Sequence, residues 1–172
     1  MFGVVNNSAV TVQAAPNGAG GDSPWSGKTA EEIVKDINSL ITNVYTGSKA
    51  IEMANTVLVP IEQFSVLSSK MIPNTVVSVL EYVRANNTYT ATTGSPLMVR
   101  GLLELDGAGA SSADRAIAYS RDPSVLRLHL PMPHRFLPAN NINGLKFSVP
   151  GIFRTAGLEV LYPKAMRYMD GI

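Results

Sequence analysis

The stretch Gly21 to Thr29 is the part of the chain that most resembles a chemical site. It ends in Ser26-Gly27-Lys28-Thr29 and runs straight into a helix signal. A phosphate-binding loop needs four residues between its first glycine and Gly-Lys-Thr, so that successive backbone amides cradle the phosphates. Here five intervene, and the correct spacing puts Asp22 where that glycine belongs. Its carboxylate would repel phosphate, and Pro24 removes one of the amides the loop depends on. Leu102 to Asp106 has the form of an apolar strand ending in a magnesium-holding aspartate, a common sequence that adds little. His129 and His134 stand five apart across Pro131 and Pro133, with Asp122 upstream. Metal sites recruit further His, Asp, Glu or Cys at ligand spacing, and none follows. His129 therefore reads as an outward strand residue and His134 as part of a bend. Neither Ser48 nor Ser95 lies in the Gly-x-Ser-x-Gly elbow of a serine nucleophile. Met53, Met71, Met98, Met132, Met166 and Met169 read as gap-filling core or interface residues. No catalytic, cofactor-binding or metal-ligating set is expected, and no cofactor.

Composition supports that reading. Of 172 residues, 45% are hydrophobic but only 16% charged, against about 25% charged in typical soluble proteins. A weakly charged surface is cheap to dehydrate, and interface cores are depleted in charge for that reason. The net charge of +1 gives no field to draw the chain to nucleic acid or anionic membrane. There is no basic stripe with interleaved aromatics. The absence of cysteine excludes disulfides and thiolate metal sites. Met1 to Ala15 lacks the charged and apolar regions of a secretory signal. No apolar run approaches the roughly 20 residues that span a bilayer. The Asn-x-Ser/Thr triplets at Asn6 and Asn86 have no secretory context and read as chance matches.

The elements that would position these residues fall into two kinds. Residues 1–28 are Gly-, Asn-, Ser- and Pro-rich and read as a flexible opening segment with a short strand at Val10–Val12. A helix is expected over Thr29–Thr46. Thr29 and Glu32 form a capping box, and Ile33, Ile37, Leu40, Ile41 and Val44 form one apolar face. Gly47 would end it in the left-handed conformation, with Asp36, Asn38 and Asn43 facing water or a partner. A strand at Thr56–Val59 and a helix at Ile61–Leu67 begun by Pro60 follow. A second helix is expected over Asn74–Ala85, with Val76, Val77, Leu80 and Val83 on one side, and then a Thr-rich stretch at Thr88–Thr93. Beyond Leu97 the chain turns β-rich. Strands are expected at Leu97–Leu105, Arg115–Ser120 and Val125–Leu130, the last burying Leu126, Leu128 and Leu130. Further strands would run through Leu145–Val149 and Leu158–Tyr162, extending past Pro163 to Met166 and Tyr168. Pro131, Pro133 and Pro138 mark edges or bends. Helices first and strands later favour an α+β fold over an alternating parallel one.

Three segments carry a resemblance: Leu130 to Pro138 (Leu-Pro-Met-Pro-His-Arg-Phe-Leu-Pro), Val149 to Val160, and Pro163 to Ile172. Together they resemble the end of a tailed-phage (prophage) major capsid protein of the Hong Kong ninety-seven type. Asn6-Asn7, Ala15-Pro16-Asn17-Gly18 and Trp25 fit the same family, so the likeness covers nearly the whole chain. The resemblance implies a two-lobed wedge. A spine helix at 29–50 and strands at 118–155 would make a peripheral lobe, while 51–117 and a C-terminal strand at 156–172 would make an axial lobe. It implies a non-enzymatic subunit that associates with copies of itself into pentamers and hexamers, forming an icosahedral shell around DNA. Scaffold or decoration proteins are further partners it suggests. Neither membrane, small-molecule substrate nor specific nucleic-acid sequence is implied. The location would be the virion capsid, assembled in the bacterial cytoplasm. Family members carry an N-terminal arm and an extended loop before the helix, and with 28 residues there this chain is expected to lack both. An encapsulin-like cargo shell and a nucleotide-binding enzyme using Gly21–Thr29 are the competing readings.

Overall fold

The computed structural model describes residues 3–172. Met1 and Phe2, which open the stretch read for a targeting signal, lie outside the described residues. The fold is α+β. Five strands form the main sheet: β1 (Thr11–Ala14), β2 (Thr56–Pro60), β3 (Met98–Leu102), β4 (Arg115–Tyr119) and β11 (Met166–Asp170), in the order β1-β11-β4-β2-β3. β4 runs antiparallel to both β2 and β11, while β1 and β3 are parallel to their neighbours.

Side chains alternate across a strand, and here both faces are covered. On one face Val57, Val59, Val99, Ala116, Ala118 and Met169 meet the apolar stripe of helix α1 (Ala30–Gly47) and residues from α2 (Ile61–Ser69) and α3 (Val79–Ala85). On the other, Leu58, Ile117, Met166 and Tyr168 pack with Val10, Leu105, Val125 and Ala165. The two-sided cover explains why all five residues of β2 are buried. Helix α1 and the stretch 51–117 thus share one core.

The capping box forms as expected: the Glu32 amide donates to Thr29 Oγ1, and the Thr29 amide to Glu32 Oε2. The opening segment is pinned, contrary to the expectation of flexibility. β1 pairs with β11, Trp25 is fully buried, and the Ala19 amide donates to Glu32 at 2.7 Å. Asp36 faces neither water nor a partner. It is buried, accepting from Lys28 Nζ at 2.5 Å and Trp25 Nε1 at 3.1 Å. Asn38 and Asn43 also turn inward, binding the Thr88 amide and Gln13. Gly47 does not end the helix in a left-handed turn, since Lys49 and Ala50 carry the positive φ. What Gly47 supplies is room: a Cβ there would come within 2.8 Å of Arg167 Nη2.

Two other helices differ from expectation. Ser78 caps α3 by accepting from the Glu81 amide, so the helix starts five residues later than the apolar pattern implied, and Val76 is 92% exposed. Residues Thr88–Thr93 form a short helix, α4, capped by Asn87 and ended by Gly94 at φ 73°. β3 stops at Leu102, and Leu103–Leu105 is a single 3-10 turn.

A second ion pair joins the sheet to the opening segment. Arg115 grips Asp170 through Nε at 2.7 Å and Nη2 at 2.8 Å, stacks 4.6 Å from the centre of the Tyr168 ring, and donates to the Val5 carbonyl. Burial alone would raise the pKa of the Asp170 carboxyl. The Arg115 hydrogen bonds, the Ala110 amide and the guanidinium charge outweigh it and hold the group below its ordinary value. The Thr29 and Ala19 amides lower that of Glu32.

Two outcomes follow from these pairs. Asp36→Ala strands the Lys28 ammonium in the core and is expected to destabilise the fold by about 3–5 kcal/mol, whereas Lys28→Met with Asp36→Leu should cost less, about 1–3 kcal/mol for the Trp25 N–H left without an acceptor. Urea unfolding of the two variants checks this, and a single-variant loss below about 1 kcal/mol contradicts it. Asp170 and Glu32 release protons more readily when folded. Their contribution is complete above the unfolded values, about 3.9 and 4.3, and is lost as pH falls through the lower folded ones. Stability measured from pH 6 down to pH 3 should fall less steeply in Asp170→Asn than in the parent, and identical slopes would refute that role.

Candidate assembly surface

Between β4 and β11 the chain leaves the sheet, and its path starts at a turn written in the sequence. Asp122 Oδ1 accepts from the Ser124 amide at 2.8 Å, and its carbonyl accepts from the amides of Val125 and Leu126. The Ser124 hydrogen bonds, side-chain and backbone, hold the Asp122 carboxyl below its ordinary value, so it stays ionised. Val125 is buried in the second core and anchors the excursion, and the Leu161 amide closes it on the Val125 carbonyl.

Everything from 126 to 160 is one irregular antiparallel hairpin built of three ribbons. β5 (Leu126–His129) pairs with β10 (Gly157–Val160), β6 (Met132–Phe136) with β9 (Gly151–Arg154), and β7 (Asn140–Asn141) with β8 (Phe147–Ser148). His129 faces Gly157, and Met132 faces Arg154 in the same frame. By Arg135–Ile152 the frame has slipped by one residue, and by Asn140–Ser148 by one more. Pro133 sits in the first slip, and Pro138 and Pro150 flank the second. Proline cannot donate to a ladder, so bulges are where a ribbon tolerates it. The hairpin turns at Gly144, φ 74°, whose amide donates to Asn141 Oδ1.

The alternation expected at Leu126, Leu128 and Leu130 is present, but the face is not buried. Leu126 is half-covered beside the second core, while Leu128 and Leu130 are exposed. Phe136 is 70% exposed and Leu145 94%, and Ile142, Phe147, Val149 and Phe153 are also open. The physical reason is that no second layer lies over these ribbons. Among the described residues, 127–160 hydrogen-bond only with one another. At the root, apolar Val4, Pro123, Leu126, Leu128 and Leu158 line an open depression of about 410 Å³ together with Tyr119, Arg121 and Asp122. An isolated two-stranded ribbon is marginal in water, and exposed apolar patches on this scale mark interaction sites.

The residues with chemical potential are placed differently. Lys28 is committed to Asp36, and the carbonyls of Trp25, Ser26 and Lys28 accept from Lys70 Nζ. The Gly21–Thr29 loop thus turns three carbonyls toward the Lys70 ammonium, where a phosphate would need amides. The Leu102–Asp106 strand ends instead in a turn, with the Asp106 amide bound to Leu103. His129 Nε2 lies 2.7 Å from Glu159 on the open ribbon, and His134 packs edge-on to Phe136 with ring centres 4.7 Å apart. Among the described residues no three of His, Cys, Asp and Glu converge as a metal site. Ser48 is buried in the turn after α1, donating to the Glu52 and Tyr45 carbonyls and accepting from the Glu52 amide. Ser95 is exposed. Met166 and Met169 are core, whereas Met71 and Met98 are exposed. No described helix is long and apolar enough to cross a membrane.

Sequence reasoning missed Asp36, Lys70 and the Arg115–Asp170 pair. Asp36 was detectable: it falls between Ile33, Ile37 and Leu40 on the buried stripe, with Lys28 and Trp25 upstream to serve it. The others carry no local signal, because their partners are 42 to 55 residues away.

The described residues thus form a packed sheet-and-helix body that carries an uncovered hairpin. The family model for major capsid protein matches residues 1–172, and the chain belongs to that family. The capsid of Myoviridae phage XM1 shares the fold at TM-score 0.76 and 21% identity, covering 100% of this chain and 54% of that one. A virus-like particle from Pyrococcus furiosus aligns at TM-score 0.62 and 10% identity (96% of this chain, 58% of that one). Mycobacterium phage Che8 aligns at 0.52 and 16% (96% and 54%). The chain therefore spans little more than half the length of these structures. No curated protein sequence matches it. Family and fold together mark a structural, non-enzymatic protein of the virion capsid class.

Proposed function

We propose that this chain associates with copies of itself into pentameric and hexameric rings that tile an icosahedral shell around packaged DNA, assembled in the bacterial host cytoplasm. The observation that carries the reading is the hairpin 126–160, which leaves Phe136, Leu145, Phe147 and Phe153 exposed to solvent. At roughly 25 cal/mol per Å² of apolar surface, contacts of this kind sum over every copy in a closed assembly. The stretch 51–117 with the final strand β11 is the axial lobe of this reading, and the strands of 118–155 belong to the peripheral lobe. In this reading α1 is the spine helix of the peripheral lobe, and it packs on the core that 51–117 also lines. Scaffold or decoration proteins are further partners of this reading.

Support for a cargo shell is thinner, since the Pyrococcus furiosus particle is 10% identical and speaks for fold alone. The buried commitment of Lys28 to Asp36 weighs against nucleotide chemistry.

Sedimentation velocity and negative-stain microscopy test the proposal. The parent chain is expected to form rings or larger assemblies as concentration rises. The triple variant Phe136→Ser, Leu145→Ser, Phe147→Ser should stay dispersed with an almost unchanged unfolding midpoint, because exposed side chains contribute little to the monomer's stability. A parent that remains monomeric at every concentration, or a triple variant that assembles equally well, overturns it.

A further inference from the structure

Charge is divided unevenly along this nearly neutral chain. The hairpin 126–160 holds Arg127, Arg135, Lys146 and Arg154 against Glu159 alone. That leaves ten Lys/Arg and twelve Asp/Glu, out of 14 and 13, for all the rest. The hairpin is therefore a cationic, apolar finger on a slightly acidic body, and all four of its cations are exposed.

The complementary surface lies at the opposite end of the sheet. Tyr119 pairs with Thr56 and Met166, so the hairpin leaves and re-enters the sheet where β2 and β3 begin. At the far end, past the Pro60–Leu102 pair, the chain exposes Ile61, Glu62, Leu103, Glu104 and Asp106. Leu103 is 69% exposed. Arg115, which begins β4 at this end, is taken up by Asp170, and the nearest cation along β3 is Arg100. Strands of five residues separate the two ends by about 17 Å. Among the described residues, 127–160 make no hydrogen bond to the body.

We infer that the hairpin of one copy seats on the acidic, apolar end of the next copy, around Ile61, Glu62, Leu103, Glu104 and Asp106. This deepens the shell reading and rests on it. The contact is heterologous: two different surfaces meet, as a ring or lattice requires. Pairing hairpin to hairpin would set like charges within a Debye length of about 8 Å, and like-charge juxtaposition selects against a partner. Duplex DNA would match the cations but offers nothing to Phe136, Leu145 or Phe147. The far end of a second copy matches both.

Two exposed-residue variants test the contact. One reverses the finger (Arg135→Glu, Lys146→Glu, Arg154→Glu), and the other reverses the end (Glu62→Lys, Glu104→Lys, Asp106→Lys). Each alone should lose at least tenfold in association by sedimentation velocity. Mixed in equal amounts they should associate again, because each now presents the charge the other lacks, and recovery also shows that both are folded. Parent association should weaken between 50 and 500 mM salt. If the parent associates but either variant matches it, the mixture fails to recover, or salt strengthens assembly, this contact is wrong and the shell reading stands. If the hairpin variant loses only affinity for a short DNA duplex while sedimenting as the parent does, the finger's partner is nucleic acid and the inference fails. A parent that never associates removes both readings together.

Discussion

A two-stranded ribbon has two faces and no layer of its own to put over either. That constraint governs residues 126–160. The segment keeps its ladder hydrogen bonds, at the cost of two register slips around its prolines, yet leaves Phe136, Leu145, Phe147 and Phe153 in contact with solvent. In the assembly proposed above, this surface is half of an interface. Its sequence already contains the devices a finger needs: an Asx turn at Asp122 to launch it, Val125 to anchor it, and Gly144 to turn it back.

The finger is carried by a well-packed body. Both faces of the central strands are packed, and each end of the opening segment is tied down by a buried ion pair. Lys28–Asp36 fixes the loop against α1, while Arg115–Asp170 ties β4 to β11 and reaches Val5. Such pairs are weak evidence for stability, since desolvation offsets much of their attraction. Their value here is geometric. A polar contact with one satisfactory arrangement sets where a glycine- and proline-rich segment must lie, and an apolar contact would set it less narrowly.

Much of this was legible in the sequence, for reasons that can be named. The capping box and the 3.6-residue stripe of α1 are local signals, and both formed. Alternation identified the strands of the hairpin but could not say whether the apolar face was covered, because a period of two is the same for a buried face and a waiting one. The helix expected from Asn74 failed because Ser78 is a stronger start signal than the valines before it. The opening segment read as loose because composition speaks of intrinsic preference, whereas Trp25, Lys28 and Lys70 act through partners distant in sequence. Spacing alone leads to the expectation that no catalytic set is found, and the family to which the chain belongs is that of a major capsid protein.

Hydrogen–deuterium exchange on dispersed and assembled protein measures most directly whether the finger is completed by a neighbour. Backbone amides of residues 130–156 should exchange within seconds to minutes when the chain is dilute and become at least tenfold slower on assembly, while those of β2 and β4 stay protected in both states. Equal exchange of the hairpin in the two states, or a hairpin as protected as the central strands in the dilute chain, would contradict the account.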